Sequence, residues 1–247
     1  MQKTNWTPPP DSFNLESHHV DVWRLSLDFL AASVKSVEST LSANEKERAA
    51  RFHFEVDKNR FVIAHGVLRK ILGHYLHRNP AELTFSVNQY GKPALDNSSL
   101  EFNLSHSGDF ALIAVTQGRK IGVDVEHIRQ GISSHVIAQQ YFSKAEVAEL
   151  QSLPIEKRVN GFFTCWTRKE AYIKAQGLGL ALPLESFDVS LTPGQPAILR
   201  ATRPDEKEAA CWALRSLDVD PNYAGAVAVE GAEFDFRFFA YSELPAH

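Results

Sequence analysis

Asp124 and Glu126 stand two positions apart in "IGVDVEHI" (121–128), a segment that otherwise alternates with apolar residues. A strand sends successive side chains to opposite faces, so the two carboxylates share one face while Ile121, Val123 and Val125 take the other. A half-buried strand with its polar side in water gives the same pattern. A third acid, Glu170, occurs in "GFFTCWTRKEAYIKAQG" (161–177). On a helix of that segment Phe163, Trp166 and Ile173 fall in one arc, and Glu170 falls inside it. A carboxylate on an inward stripe has to be paired, protonated or metal-bound. An exposed Glu170–Lys174 pair at i, i+4 would be worth about 0.3–0.5 kcal/mol but does not explain the inward placement. Three oxygen ligands suit a hard cation such as Mg2+, which completes its octahedron with water and substrate phosphates. They point to a phosphate or pyrophosphate substrate.

Cations and hydroxyls supply the complement. Lys46, Arg48, Arg51, Lys58 and Arg60 cluster with Glu45, Glu47, Glu55 and Asp57 interleaved, so most of them read as a solvated helix face. Arg60, where a second helix begins, is the best candidate ligand among them. Lys92 lies in the turn "YGKPAL", where a cation can reach a ligand or simply face solvent. In "FNLSHS" (102–107), Ser105, His106 and Ser107 lack the "GxSxG" elbow of a hydrolase. A phosphate contact fits them better, because hydroxyls and imidazolium both donate to phosphate oxygens.

The elements that must position these groups occur twice. Ser42 and Glu45 of "LSANEKERAARF" have capping-box spacing, and the box recurs 101 residues on at Ser143 and Glu146. The same offset carries Phe61 to Phe162. "GKPAL" from Gly91 returns as "GQPAI" from Gly194, and "DFALIAV" from Asp109 is echoed by "NYAGAVAV" from Asn222. Four matches in one order indicate an internal duplication. Each half reads as a strand, two helices, a Gly-Pro turn and closing strands, with the first strands at "HVDVWRLSLDF" and "KIGVDVEHI". The expected organisation is an α+β chain of two similar halves, 1–118 and 119–247, with a cleft between them for a ligand. The chemistry is not duplicated: Lys92 becomes Gln195, and at the common offset Asp124 corresponds to Trp23 and Glu170 to Arg69. One site per chain is expected.

Composition sets the limits. The 247 residues are 44% hydrophobic and 23% charged, ordinary values for a folded protein, and the net charge of −4 argues against bulk nucleic-acid binding. No run is long and apolar enough for a signal peptide or a membrane span. Cys165 and Cys211 form no ligand set or disulfide framework, and the ten His include no HExxH, so a cytoplasmic chain without structural zinc is expected.

Together "YGKPAL", "FNLSHS", "GVDVE" and, about forty residues later, "WTRKEAYIKAQGLGL" resemble the Sfp-type 4′-phosphopantetheinyl transferases, over most of the chain from "LSANEKERAARF" to "NYAGAVAV". The resemblance implies a pseudo-twofold pair of α/β halves with coenzyme A bound between them. It implies a monomeric, Mg2+-dependent enzyme of the holo-[acyl-carrier-protein] synthase type, with no nucleic-acid or membrane partner. Such an enzyme moves 4′-phosphopantetheine from coenzyme A to a serine of an acyl or peptidyl carrier protein and releases 3′,5′-ADP. By resemblance Asp124, Glu126 and Glu170 hold Mg2+ on the pyrophosphate, and Glu170 or a water it orients deprotonates the serine. Lys174 stabilises or protonates the leaving phosphate. Arg60, Lys92, Ser105 and His106 contact the nucleotide phosphates, with Arg48 as a 3′-phosphate contact. Val125 between the strand acids cannot ligate, and "TPPPDSFNLESHH" falls outside the family pattern. Competing readings are a Mg2+-dependent nucleotide phosphohydrolase and a non-enzymatic coenzyme A-binding module.

Overall fold

Both capping boxes form. Ser42 and Ser143 each accept from the amide three residues on, and Glu45 and Glu146 reach back to the cap amides. In the computed structural model, which describes residues 3–10, 13–28, 34–203 and 205–241, they start two short helices at corresponding places. The first half runs β1 (His19–Ser26), α1 (Val34–Glu38), α2 (Ala43–Ala50), α3 (Glu55–Leu76), β2 (Phe85–Val87), β3 (Pro93–Leu95), β4 (Leu100–Ser107) and β5 (Phe110–Gln117). The second runs β6 (Ile121–His127), α4 (Ser134–Tyr141), α5 (Lys144–Ser152), α6 (Ile155–Gln176), β7 (Phe187–Val189), β8 (Leu199–Thr202), β9 (Trp212–Leu217) and β10 (Tyr223–Glu230). The order is the same, with a third helix per half that the capping signals do not predict. Phe29, at the end of the expected first strand, lies outside the described residues.

Sheet order repeats as well. The first sheet is ordered β11-β1-β5-β4 and the second β6-β10-β9, so β1, β5 and β4 occupy the places of β6, β10 and β9. The added strand β11 (Asp235–Ala240) pairs in parallel with β1 and has no counterpart among the described residues. Our division at residues 118 and 119 falls in the short turn between β5 and β6. Three apolar clusters follow from the layering. One packs α3 on the first sheet, one packs α6 on the second, and the third, with Val20, Val22, Leu112, Ile121, Val123 and Val227, lies between the sheets.

An ion pair, fully buried in the second half and partly in the first, anchors each long helix to its capping box. Arg69 Nε donates to Glu45 Oε2 at 2.7 Å, and Lys169 Nζ to Glu146 Oε2 at 2.8 Å. Lys169, not Glu170, therefore stands in the place of Arg69, which corrects the sequence offset by one residue along this helix. The N-terminal segment, which no motif explains, is structural. Thr4 exchanges hydrogen bonds with Asp218, Trp6 Nε1 donates to the Asp218 carbonyl, and Phe13 stacks on Trp23 at 5.5 Å.

Candidate active site

β4 and β6 are edge strands of different sheets, and their seam is closed by side chains instead of a backbone ladder. Asn103 Oδ1 accepts from the Val123 amide at 2.9 Å, Ser105 Oγ from Val125 at 3.4 Å and Ser107 Oγ from His127 at 3.1 Å. Three alternate β4 residues thus satisfy the edge N–H groups of β6 that a neighbouring strand would otherwise take. This revises the reading of the two serines as free for phosphate. Ser105 Oγ also donates to Asp124 Oδ1 at 2.9 Å and accepts from Lys174 Nζ at 2.9 Å, which uses its one proton and both lone pairs. Ser107 Oγ donates to Glu126 Oε2 at 3.1 Å.

The acid face of β6 does not face water. It lies against α6, and Gly122 makes the approach possible: a Cβ there would stand 2.1 Å from the Ala171 carbonyl oxygen. Asp124 is consequently 2% exposed. Helix α6 brings Glu170 and Lys174 to the same place, and Gly177, at φ 69°, ends it as the sequence suggests. The i, i+4 pairing does not form. Lys174 Nζ instead donates to Asp124 Oδ1 at 2.6 Å, because a buried carboxylate gains more from the ammonium than a partly exposed one. Asp124 Oδ2 remains buried without a hydrogen-bond partner.

Three acids share one hydrogen-bonded ammonium, and Arg129 opposes the shift only at Glu126, so the cluster is short of positive charge. Burial, then the neighbouring Asp124 carboxylate, pushes the Glu170 carboxyl up to about 7, with Glu126 adding and Lys174 opposing. Burial raises Asp124 too, against Lys174 and Ser105, and burial and Asp124 raise Glu126. Among the described residues no three His, Cys, Asp or Glu side chains are gathered closely enough to hold a metal ion as they stand. The donor set nevertheless fits a hard divalent cation: all the donors are oxygen, one is a buried orphan, and each carboxyl is raised, chiefly by burial, so that a cation would be needed to hold all three ionised.

Of the other candidates, Lys92 alone borders the cavity beside Glu170 and Lys174. That cavity, of about 300 Å³, is bounded by Tyr90 and Lys92 of the β2–β3 turn, Asn103 of β4, and Glu170, Ile173 and Lys174 of α6, so both halves contribute. A larger one, about 660 Å³, lies around Trp6, Arg24, Arg168 and Asp218, away from the acids. The titratable groups single out the smaller cavity. Lys92 is not a free turn cation: its Nζ donates to the carbonyls of Ile121 and Ala175, both at 3.0 Å, and so caps the end of α6. Burial lowers its pKa. Arg60 is oriented by Asp28, at 3.2 Å, and by Asp109, which the repeat marks only as the start of a strand and not as a partner for Arg60. His106 lies near the end of β4, and its pKa is lowered by burial and then by His65, Lys174, Arg48 and Arg60. Arg48, on α2, lies over the Phe61 ring at 5.2 Å. The first half therefore gathers cations around His106, and the second gathers acids around Asp124.

Comparisons with known proteins give the family. Residues 120–228 match the model of the 4′-phosphopantetheinyl transferase superfamily, and residues 29–118 match that of a 4′-phosphopantetheinyl transferase N-terminal region. The 4′-phosphopantetheinyl transferase HetI of Nostoc sp. is 39% identical over 245 residues, covering 98% of this chain and all of that protein. The 4′-phosphopantetheinyl transferase Sfp of Bacillus subtilis is 32% identical over 210 residues, 83% of this chain and 90% of that one. A putative 4′-phosphopantetheinyl transferase of Synechocystis sp. is 32% identical over 186 residues, 74% of each chain. With likeness of this extent across both halves, the chain belongs to the 4′-phosphopantetheinyl transferase superfamily.

Proposed function

We propose that this chain transfers 4′-phosphopantetheine from coenzyme A to a serine hydroxyl of an acyl or peptidyl carrier protein. The observation that carries the reading is the juxtaposition of a cation-poor acid cluster on β6 and α6 with a cation-rich group on α2, α3 and β4. Such a division suits a substrate with a pyrophosphate at one end and nucleotide phosphate at the other. Asp124, through its orphan Oδ2, with Glu126 and Glu170, would hold Mg2+. The ion would supply charge neutralisation at the pyrophosphate, the dominant demand of phosphoryl transfer.

The protein groups have distinct tasks. In the transfer the serine oxygen bonds to the β-phosphorus, the bond from that phosphorus to the 3′,5′-ADP oxygen breaks, and the serine proton needs an acceptor. Glu170, or a water it orients, takes that proton. Its carboxylate is a stronger base than an ordinary one while its pKa stays near 7, and a bound cation weakens it. Lys174 already bonds Ser105 and Asp124, and a cation on Asp124 would free its ammonium for the leaving phosphate. Lys92 holds the end of α6, and with it Glu170 and Lys174, and keeps one N–H for ligand.

The test is the intact mass of an apo carrier protein incubated with the chain, coenzyme A and Mg2+. The expected result is a gain of one phosphopantetheine with one 3′,5′-ADP released. Coenzyme A consumed without carrier would favour a phosphohydrolase, and tight coenzyme A binding without turnover a binding module. We read the active form as a monomer in the cytoplasm. No described helix is long and apolar enough to cross a membrane.

A further inference from the structure

Tyr223 opens β10 opposite His127, the last residue of β6, but its side chain crosses to the first half. Its hydroxyl accepts from the Asp109 amide at 3.0 Å, in the turn that joins β4 to β5. Its ring meets Phe110 edge-on at 5.0 Å and lies 4.9 Å from the His127 ring. Gly108 admits it: that residue has a φ of 54°, and a Cβ there would stand 2.5 Å from the Tyr223 oxygen. Ser107 pairs with Phe110, so Gly108 and Asp109 form a two-residue hairpin loop, whose amides have no ladder partner of their own. Tyr223 supplies one for Asp109. On the other side the Leu27 amide, at the end of β1, donates to the Asp109 carbonyl at 2.8 Å.

Both ends of the cleft meet in this turn. Ser107, just before it, donates to Glu126 of the acid cluster, and Asp109, within it, bonds Arg60. Asp28 reaches the same guanidinium at 3.2 Å. Both aspartates take Nη2 of Arg60, and Nε is buried without a partner, so Nη1 is the edge open to a ligand. A partly exposed carboxylate orients a guanidinium only as firmly as its own backbone is held. The backbone of Asp109 is held at its N–H by Tyr223 and at its carbonyl by Leu27.

We propose that Tyr223 is a positioning residue for coenzyme A binding: it holds the Gly108–Asp109 turn so that Asp109 sets the Arg60 guanidinium for the nucleotide phosphates. The proposal rests on the proposed function, which gives Arg60 those phosphates. The hydroxyl belongs to the second half and the guanidinium to the first, so this contact also fixes the spacing between the acid cluster and Arg60. Without the hydroxyl the Asp109 amide is left to water, and the turn is free to take other positions. Arg60 grips a part of the substrate that does not react, so the effect falls on binding and not on the chemical step.

Initial rates of transfer, read as kcat and KM for coenzyme A, test this in a double-mutant cycle of Tyr223→Phe with Arg60→Ala. Tyr223→Phe keeps the ring and removes the hydroxyl, and should raise KM about fivefold with kcat unchanged. Asp109→Asn, which keeps the hydrogen bond to Tyr223 and loses the charge beside Arg60, should do the same. In the Arg60→Ala background neither change should raise KM further, whereas a purely structural role predicts the same fivefold rise in both backgrounds. That additive result overturns the inference and leaves the proposed function standing. So does an unchanged KM, a fall in kcat at unchanged KM or a loss of folding in Tyr223→Phe, and so does a wild-type KM in Arg60→Ala. A wild type that transfers nothing overturns the proposed function and the inference with it.

Discussion

Strands β1 and β6 hold the same place in the two halves, and each lays a polar face on its own long helix. On β1 that face carries Asp21 and Trp23. Asp21 accepts from Arg237 Nε at 2.6 Å, Arg237 Nη2 at 2.8 Å and the Tyr75 hydroxyl at 2.5 Å, and Trp23 Nε1 donates to Tyr75 at 3.1 Å. One acid meets one guanidinium, so the face is closed. On β6 Gly122 stands where Asp21 does and Asp124 where Trp23 does, by their matching registers against β5 and β10. There three acids meet one ammonium, and Asp124 Oδ2 has no partner. The same backbone thus carries a finished polar network in one half and an unfinished one in the other. What finishes the first is the added strand β11, which delivers Arg237. On the proposed function, the cation held by these acids finishes the second.

The strongest way to break this comparison is to neutralise one acid on each face. Glu170→Gln should slow single-turnover transfer by roughly 10²–10⁴-fold, as for a lost general base, and leave the thermal midpoint of the metal-free protein unchanged or higher. Asp21→Asn should do the reverse. It breaks a buried ion pair at a cost of about 3 kcal/mol, and transfer per folded molecule should stay near wild type. Loss of transfer by folded Asp21→Asn protein would remove the distinction between the faces.

A smaller effect concerns pH. Glu170 titrates at about 7 in the folded protein against 4.5 for an ordinary glutamate, and Asp124 and Glu126 shift in the same direction. Between those pH values the metal-free folded chain holds protons that the unfolded chain has lost. Its stability is therefore greatest below that window and falls as pH rises through it. Thermal midpoints measured in EDTA should decline over this range, and Mg2+ or Glu170→Gln should flatten the decline. Smaller again, Lys92→Ala should cost about 1 kcal/mol by uncapping α6 and should raise the KM for coenzyme A. Gln195→Ala, at the matching turn, should do neither. Equal effects of the two on KM would contradict a one-sided site.

The local signals were legible in the residues. Capping boxes, the helix stop at Gly177 and the shared face of Asp124 and Glu126 depend on neighbours in sequence, and each forms. What covers a face is not a local property. Strand alternation puts Asp124 beside Glu126, but only α6, admitted by Gly122, buries it. Helical spacing offers Glu170 to Lys174, yet the contact that wins is fifty residues away. The seam role of Asn103, Ser105 and Ser107 was hidden for a similar reason: a side chain that replaces a strand partner leaves no periodic trace. The repeat was readable, but β11 and the short helices α1 and α4, which carry no echo or cap signal, were not.

The central claim is that Asp124 completes a cation site that the fold leaves open. Calorimetric titration of Mg2+ into the metal-free chain with coenzyme A, near pH 6.5, tests it directly against Asp124→Asn, which keeps the shape and removes the charge. The account predicts saturable binding by the wild type with release of protons from the raised carboxyls, and loss of both in the variant. Mg2+ binding by Asp124→Asn with wild-type affinity and wild-type proton release would contradict it.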